Sequence, residues 1–242
     1  MAVHRVPLDP SHVRLEQRAR FADAKVHRGF YHAYRSVRDQ VLMSLQHMMF
    51  ADELVIERIL VSGHSFGGAM AHFLYLDVQT RYPSCPLEMY TFGAPRTGTK
   101  TFATAFNAAM PRCFRLVFER DPIPFVPKGL GYCHAGHECL LDRHGNLIVH
   151  PTSVERKLLR QTFRRLDHKR FSYAVGLHAL VDRTRAMQTL VSEAAVVDMD
   201  TLLNTIDVAL SNQYRQTQHS FRGLDGFITK HTWKLCGPWP CS

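Results

Sequence analysis

Residues Arg58 to Tyr75 read RILVSGHSFGGAMAHFLY, and the character of the chain changes in the middle of that stretch. Ile59, Leu60 and Val61 form a short apolar, β-favouring run, whereas Gly68, Ala69, Met70, Ala71, Phe73 and Leu74 favour a helix with one packed side. Ser65 stands at the joint, with Gly63 two residues before it and Gly67 two after. This G-x-S-x-G spacing lets a serine occupy a crowded strand-to-helix turn with its hydroxyl pushed into the open. Side chains at both glycines are expected to collide with the neighbouring strand and helix. Three fixed residues are weak evidence alone; the strand before and the helix after, each read without the motif, give the pattern its weight.

Downstream, strand and helix keep alternating. Leu87 to Phe92 reads as a strand broken by GAPRTG (Gly93–Gly98), Thr99 to Met110 as a helix, and Cys113 to Glu119 as a strand followed at once by Arg120-Asp121-Pro122-Ile123-Pro124. Such alternation implies a mostly parallel sheet flanked by helices, an α/β fold in which ligands gather at the carboxyl ends of the strands. Ser65 and Asp121 both lie at such ends. Cys139–Leu141 and Leu147–His150 bracket DRHGN as a hairpin. A basic helix over Ser153–Leu166, a helix from about Phe171 to Leu190 and an amphipathic helix starting at Asp200 follow; the tail after Gln213 carries no clear element.

Upstream, Tyr34, Val37, Val41, Leu42, Leu45, Met48 and Met49 recur at three- and four-residue steps, which predicts one helix with a buried stripe running on from Val26. Residues 1–25 are polar, with a short helical possibility at His12–Ala24, and read as an arm. The expected organisation is an arm (1–25), an α/β domain (26–190) and a C-terminal helical extension with a tail (191–242).

A chain of 242 residues that is 45% hydrophobic suits one domain with a real core. The net charge of +9 is partly concentrated in RKLLRQTFRRLDHKR (Arg156–Arg170), where seven of fifteen residues are Lys or Arg. A solvated helix face and contact with an anionic membrane surface are both readings of that cluster. No nucleic-acid motif or aromatic interleaving accompanies the charge. No apolar run reaches the length of a membrane span, and MAVHRVPLDPSH lacks the apolar core of a secretion signal. Cytoplasmic localisation is the default expectation, and secretion if the true N-terminus lies upstream. The six cysteines fit neither a disulfide scaffold nor a zinc knuckle, so no metal is expected.

A serine hydroxyl is a poor nucleophile at neutral pH and needs a histidine to take its proton and a carboxylate to orient that histidine. Along this type of fold the order is Ser, Asp, His. Asp121 supplies the acid, in a loop fixed by two prolines. Of the histidines after it, His134 and His137 follow too closely to reach back, and His144 and His150 sit in the hairpin. His168 and His178 remain. His168 opens a helix behind a loop, where a base is presented, whereas His178 lies in the apolar stretch Ala174–Leu180 and reads as a packed core residue.

VHRGFYHAY (26–34), GHSFGGAMA (63–71), YTFGAPRTGTKTF (90–102), DPIPFVP (121–127), GYCHAGHE (131–138) and LDHKRFSY (166–173), in this order, resemble the class 3 (fungal-type) lipase family of α/β-hydrolases from about Lys25 to Leu190. The resemblance implies Ser65 as nucleophile, Asp121 as orienting acid, His168 as base and the Phe66 N–H as one oxyanion donor. It further implies hydrolysis of a lipid carboxylic ester, of the acylglycerol or phospholipid class, through an acyl-enzyme and without a cofactor. Two departures stand out. Family members usually carry further strands, a lid helix and the loop giving the second oxyanion donor upstream of the VH-GF segment, where this chain has some 25 residues. Tyr173 also stands farther from His168 than in many relatives. Losing one oxyanion donor costs about 3 kcal/mol of transition-state stabilisation. The alternative function is therefore a catalytically weak or inert lipase-like module that binds anionic lipid surfaces or a protein partner.

Overall fold

The structure is a computed structural model and describes residues 4–50, 56–159 and 162–193. Its first strand, β1 (Arg5–Pro7), pairs antiparallel with β2 (Lys25–His27), placing Val6 opposite Val26. Between them run two 3-10 turns, Pro10–His12 and Leu15–Gln17, and the one-turn helix α1 (Arg18–Phe21). The stretch expected to be an arm is thus part of the domain, because Leu8, Val13, Phe21 and Ala24 are buried in the same core as the central helices.

Helix α2 (Arg28–Met49) starts two residues later than expected. His27 belongs to β2 and caps the helix, its Nδ1 accepting the Phe30 N–H at 3.4 Å. The buried face is also turned from the predicted stripe: Tyr31, Tyr34 and Leu42 are buried, whereas Val37, Val41 and Met48 are exposed. The reason is polar. Arg38 points inward to Asp77, and the hydroxyls of Tyr31 and Tyr34 find partners in His12 and Asp77, so the helix is oriented by a buried network that a hydrophobicity pattern does not register.

The decisive stretch forms β3 (Ile59–His64) and α3 (Phe66–Arg81), followed by β4 (Leu87–Phe92), the two-residue β5 (Gly98–Thr99), α4 (Lys100–Ala109) and β6 (Cys113–Phe118). After β6 come β7 (Tyr132–Cys133), β8 (His137–Leu141), β9 (Leu147–Val149), α5 (Ser153–Leu159) and α6 (Arg170–Glu193). The main sheet has the order β3-β4-β6-β8-β9; its first four strands are parallel and β9 returns antiparallel through the Asp142–Asn146 turn. Val61, Met89 and Cys113 stand side by side across three strands and are all buried, against a layer that includes Phe73, Leu76, Phe102 and Phe106. Burying one such side chain contributes about 1.5–3 kcal/mol. The order α/β-hydrolase-like sheet plus flanking helices is as expected.

A second, small antiparallel sheet, β1-β2-β5-β7, was not legible: Gly98, read as the end of a loop, pairs with Val26 on one side and Cys133 on the other, and Thr99, read as the start of a helix, pairs with Tyr132. The basic helix is shorter than expected. Thr152 and Glu155 cap α5 reciprocally, Glu155 N–H to Thr152 Oγ1 at 3.2 Å and Thr152 N–H to Glu155 Oε2 at 2.6 Å, and Arg165–His168 form a 3-10 turn instead of continuing the helix. The chain divides into one compact unit over residues 1–179 and a second over 180–242, eleven residues before the boundary expected at 190/191. Of the second, residues 180–193 are described, as the end of α6. The helix expected from Asp200 and the tail after Gln213 lie outside the described residues. Among the described residues no helix is long and apolar enough to cross a membrane.

Candidate active site

Ser65 joins β3 to α3 with φ 56° and ψ −123°, a conformation that a non-glycine residue adopts at a cost of about 1–3 kcal/mol. Its N–H donates to Phe92 O at 2.8 Å, and its carbonyl accepts the N–H groups of Gly68 and Ala69, which locks the turn. Of the two motif glycines only Gly63 is sterically required. A Cβ there would meet the backbone of Gly67 and stand 2.7 Å from Gly68 N, whereas Gly67 has nothing within 4 Å of an added Cβ. The second crowded position is Gly68, where a Cβ would fall 2.8 Å from Ala94 Cβ and 2.9 Å from Gly63 O.

Asp121 follows β6 and is fully buried. Its Oδ1 accepts the Ile123 N–H at 2.8 Å, an Asx turn that starts the loop. The loop is held by its carbonyls. Arg96 Nη1 donates to Phe125 O at 2.6 Å and Pro127 O at 2.9 Å, and His134 Nε2 donates to Pro124 O at 2.5 Å. Burial holds the His134 imidazole well below its usual pKa, so it serves as a neutral donor here.

His168 ends the Arg165–His168 turn. Its Nε2 lies 2.7 Å from Ser65 Oγ, and its Nδ1 lies 2.9 Å from Asp121 Oδ2 and 3.1 Å from Oδ1. A carboxylate accepts only, so Nδ1 carries the proton and Nε2 is free to accept from the serine hydroxyl. The neighbouring Asp167 is buried on the other side of the turn, accepting the Arg120 N–H at 3.3 Å, with its carboxyl pushed up by burial. The other sequence candidate, His178, is exposed on α6 and is not brought to Ser65.

Three more residues complete the site: Tyr173, which the sequence marked only by its spacing from His168, and His64 and Gly93, which sequence reasoning did not single out. Tyr173 of α6 is buried, donates its hydroxyl to Asp121 Oδ2 at 2.6 Å and accepts the Phe118 N–H at 3.1 Å. The longer spacing after His168 therefore does not remove this contact. His64 lies against His168, ring centroids 4.7 Å apart and planes 28° apart, with its Nε2 2.7 Å from the His168 carbonyl oxygen. Burial lowers its pKa, so the ring is neutral at pH 7 and donates. Gly93, with φ 60°, passes beneath the Asp–His pair. A Cβ there would stand 2.5 Å from Asp121 Oδ2, 2.8 Å from Tyr173 Oη and 3.1 Å from His168 Nδ1. Phe66, 46% exposed, stands beside Ser65 with Phe30 edge-on to it at 5.2 Å, giving the mouth an apolar wall.

A strained serine between a parallel strand and a helix, facing groups from the ends of two further segments, defines an α/β-hydrolase. A family profile described as Lipase (class 3) matches residues 5–130, which include Ser65 and Asp121, and the chain belongs to that family. The lipase of Rhizopus niveus is 34% identical over 119 residues, 48% of this chain and 30% of the relative. Phospholipase A1-II 1 of Oryza sativa subsp. indica is 35% identical over 111 residues, 45% of this chain and 28% of the relative. Among solved structures, the native Rhizomucor miehei lipase propeptide complex superposes with a TM-score of 0.57 at 27% identity, covering 69% of this chain and 53% of that one. The chain spans about a third of the length of these curated relatives.

Proposed function

We propose that this chain is a serine carboxylic-ester hydrolase acting on lipid esters. The single observation that carries the reading is the unbroken contact series Ser65 Oγ, His168 Nε2, His168 Nδ1, Asp121 Oδ2, with steps of 2.7 and 2.9 Å. Ser65 Oγ attacks the ester carbonyl carbon while His168 Nε2 takes its proton, and Asp121 stabilises the imidazolium that forms. The Phe66 N–H, the first amide of α3 and so without an intrahelical carbonyl, donates to the developing oxyanion, a contribution of about 3 kcal/mol. His168 then returns the proton to the departing alkoxide, leaving an acyl-serine that water cleaves by the same relay. No cofactor takes part. The printed names of the relatives, lipase and phospholipase A1, support an acylglycerol or phospholipid ester as substrate.

The test is labelling with a fluorophosphonate probe, located by peptide mapping. The expected result is one modification at Ser65, lost in Ser65→Ala together with turnover of a short-chain nitrophenyl ester. An unlabelled Ser65 in the folded chain would leave an inert lipase-like module as the function.

A further inference from the structure

We propose that the segment Phe163–Phe171, which carries the candidate base, is also a docking surface for lipid bilayers bearing anionic headgroups. The proposal rests on the hydrolase reading only for the direction in which the site must face. The segment reads FRRLDHKRF, and the structure sorts it into two sides. Asp167 and His168 turn inward, to Arg120 and to Ser65 respectively. Phe163, Leu166 and Phe171 turn outward, 53%, 50% and 77% exposed. Arg165, Lys169 and Arg170 are exposed as well, and no carboxylate among the described residues pairs with them. Arg156 and Arg164 of the same basic run, by contrast, are engaged with Glu138 and Asp167.

The position of the segment matters as much as its composition. Phe163 packs against Phe125 of the Asp121 loop at 4.8 Å, with Lys128 Nζ 5.7 Å from its ring, and Val126 and Leu130 add further exposed apolar surface on that loop. Large apolar tips held in water beside unpaired cations are unfavourable for a surface with no partner. An anionic bilayer meets both needs at once: phosphate and carboxylate headgroups take the guanidinium and ammonium groups, while Phe and Leu enter the headgroup–acyl boundary. The only carboxylate of the segment, Asp167, is turned away from that face. Lys169 and Arg170 fall in the spacing between His168 and Tyr173 and do not take part in the Tyr173–Asp121 contact, so they are available for a second task.

The experiment measures partition of the full chain, as the Ser65→Ala variant so that substrate is not consumed, onto vesicles of phosphatidylcholine with and without phosphatidylglycerol. Binding is expected only with phosphatidylglycerol and should weaken as salt is raised. Each cation near a charged surface contributes about fivefold, so Arg165→Gln/Lys169→Gln/Arg170→Gln is expected to lose about a hundredfold in partition. Phe171→Ser should lose a smaller factor that salt does not change. With Ser65 intact, the triple variant should keep the nitrophenyl-esterase activity of the parent chain. Equal binding to both compositions, binding to neither, or an unaffected triple variant would each overturn the proposal. Its failure is separable from that of the hydrolase reading: a chain that hydrolyses the soluble ester but ignores anionic vesicles refutes the docking surface alone.

Discussion

The imidazole of His64 stacks on that of His168 at 4.7 Å and bonds, through Nε2, to the same residue's carbonyl oxygen at 2.7 Å. The residue immediately before the candidate nucleophile therefore grips the residue that would deprotonate it, across a sequence separation of 104. Under the proposed mechanism His64 is a positioning residue. His64→Phe keeps a flat ring but loses the donor, worth about 1 kcal/mol, and is expected to lower kcat roughly five- to tenfold with KM on a soluble ester unchanged. His64→Gln, which restores a donor, should recover most of the loss. Unchanged kcat in a folded His64→Phe would show that the contact only packs the site.

Tyr173→Phe tests the second brace. The substitution leaves the ring against Phe92 and Phe118 but removes the hydroxyl that donates to Asp121 Oδ2 and accepts from Phe118 N–H. The buried Phe118 amide then lacks a partner, at a cost of about 1–3 kcal/mol in stability. A lower Tm together with about a tenfold fall in kcat is expected, read by thermal unfolding and steady-state kinetics. A fall in Tm with full kcat would confine Tyr173 to stability.

These contacts mark where the sequence stops being informative. The strand, turn and helix around Ser65, the strands Leu87–Phe92 and Cys113–Phe118, and the Ser–Asp–His order are local or ordinal features, and periodicity and spacing report them. The N-terminal segment was unreadable because Leu8, Val13 and Phe21 are brought to one core by two 3-10 turns and a single helical turn, which have no common period. The face of α2 was misplaced because Arg38 and two tyrosine hydroxyls orient it. Gly68, not Gly67, is the tight neighbour of the turn because Ala94 approaches from the segment after β4. His64, Gly93 and Tyr173 meet His168 and Asp121 only when three strand ends and one helix converge, and that convergence is a property of tertiary structure.

Gly93 and Gly67 make a paired test of this point. Gly93→Ala places a methyl 2.5 Å from Asp121 Oδ2 on a backbone with φ 60°, so either the carboxylate or the chain must move. Loss of at least a hundredfold in kcat/KM is expected, since displacement by about 1 Å at the reacting groups costs on that order. Gly67→Ala adds a methyl into open space within the first turn of α3 and should retain activity and gain up to about 1 kcal/mol of stability. Steady-state kinetics and denaturant unfolding of the two variants would separate steric demand at the Asp–His pair from mere membership of the motif.

The network that orients α2 predicts a pH dependence away from the site. Asp77 is 2% exposed and accepts from Arg38 at 2.7 and 2.8 Å, from Tyr34 and from His12, which join α3, α2 and the N-terminal segment. Burial alone would raise its pKa, but Arg38 and His12 hold it at about 2. A carboxyl depressed on folding from an ordinary value of about 3.9 contributes stability that is fully present above pH 4 and is lost as pH falls through 2. Near two pKa units, this amounts to about 2.5 kcal/mol at neutral pH. Asp77→Asn should therefore lower stability at pH 7 by about 3–5 kcal/mol, because Arg38 is left without its charge partner, and should flatten the decline between pH 4 and pH 2. Urea unfolding of both proteins across that range is the measurement; a parallel decline in the variant would place the acid sensitivity in another carboxylate.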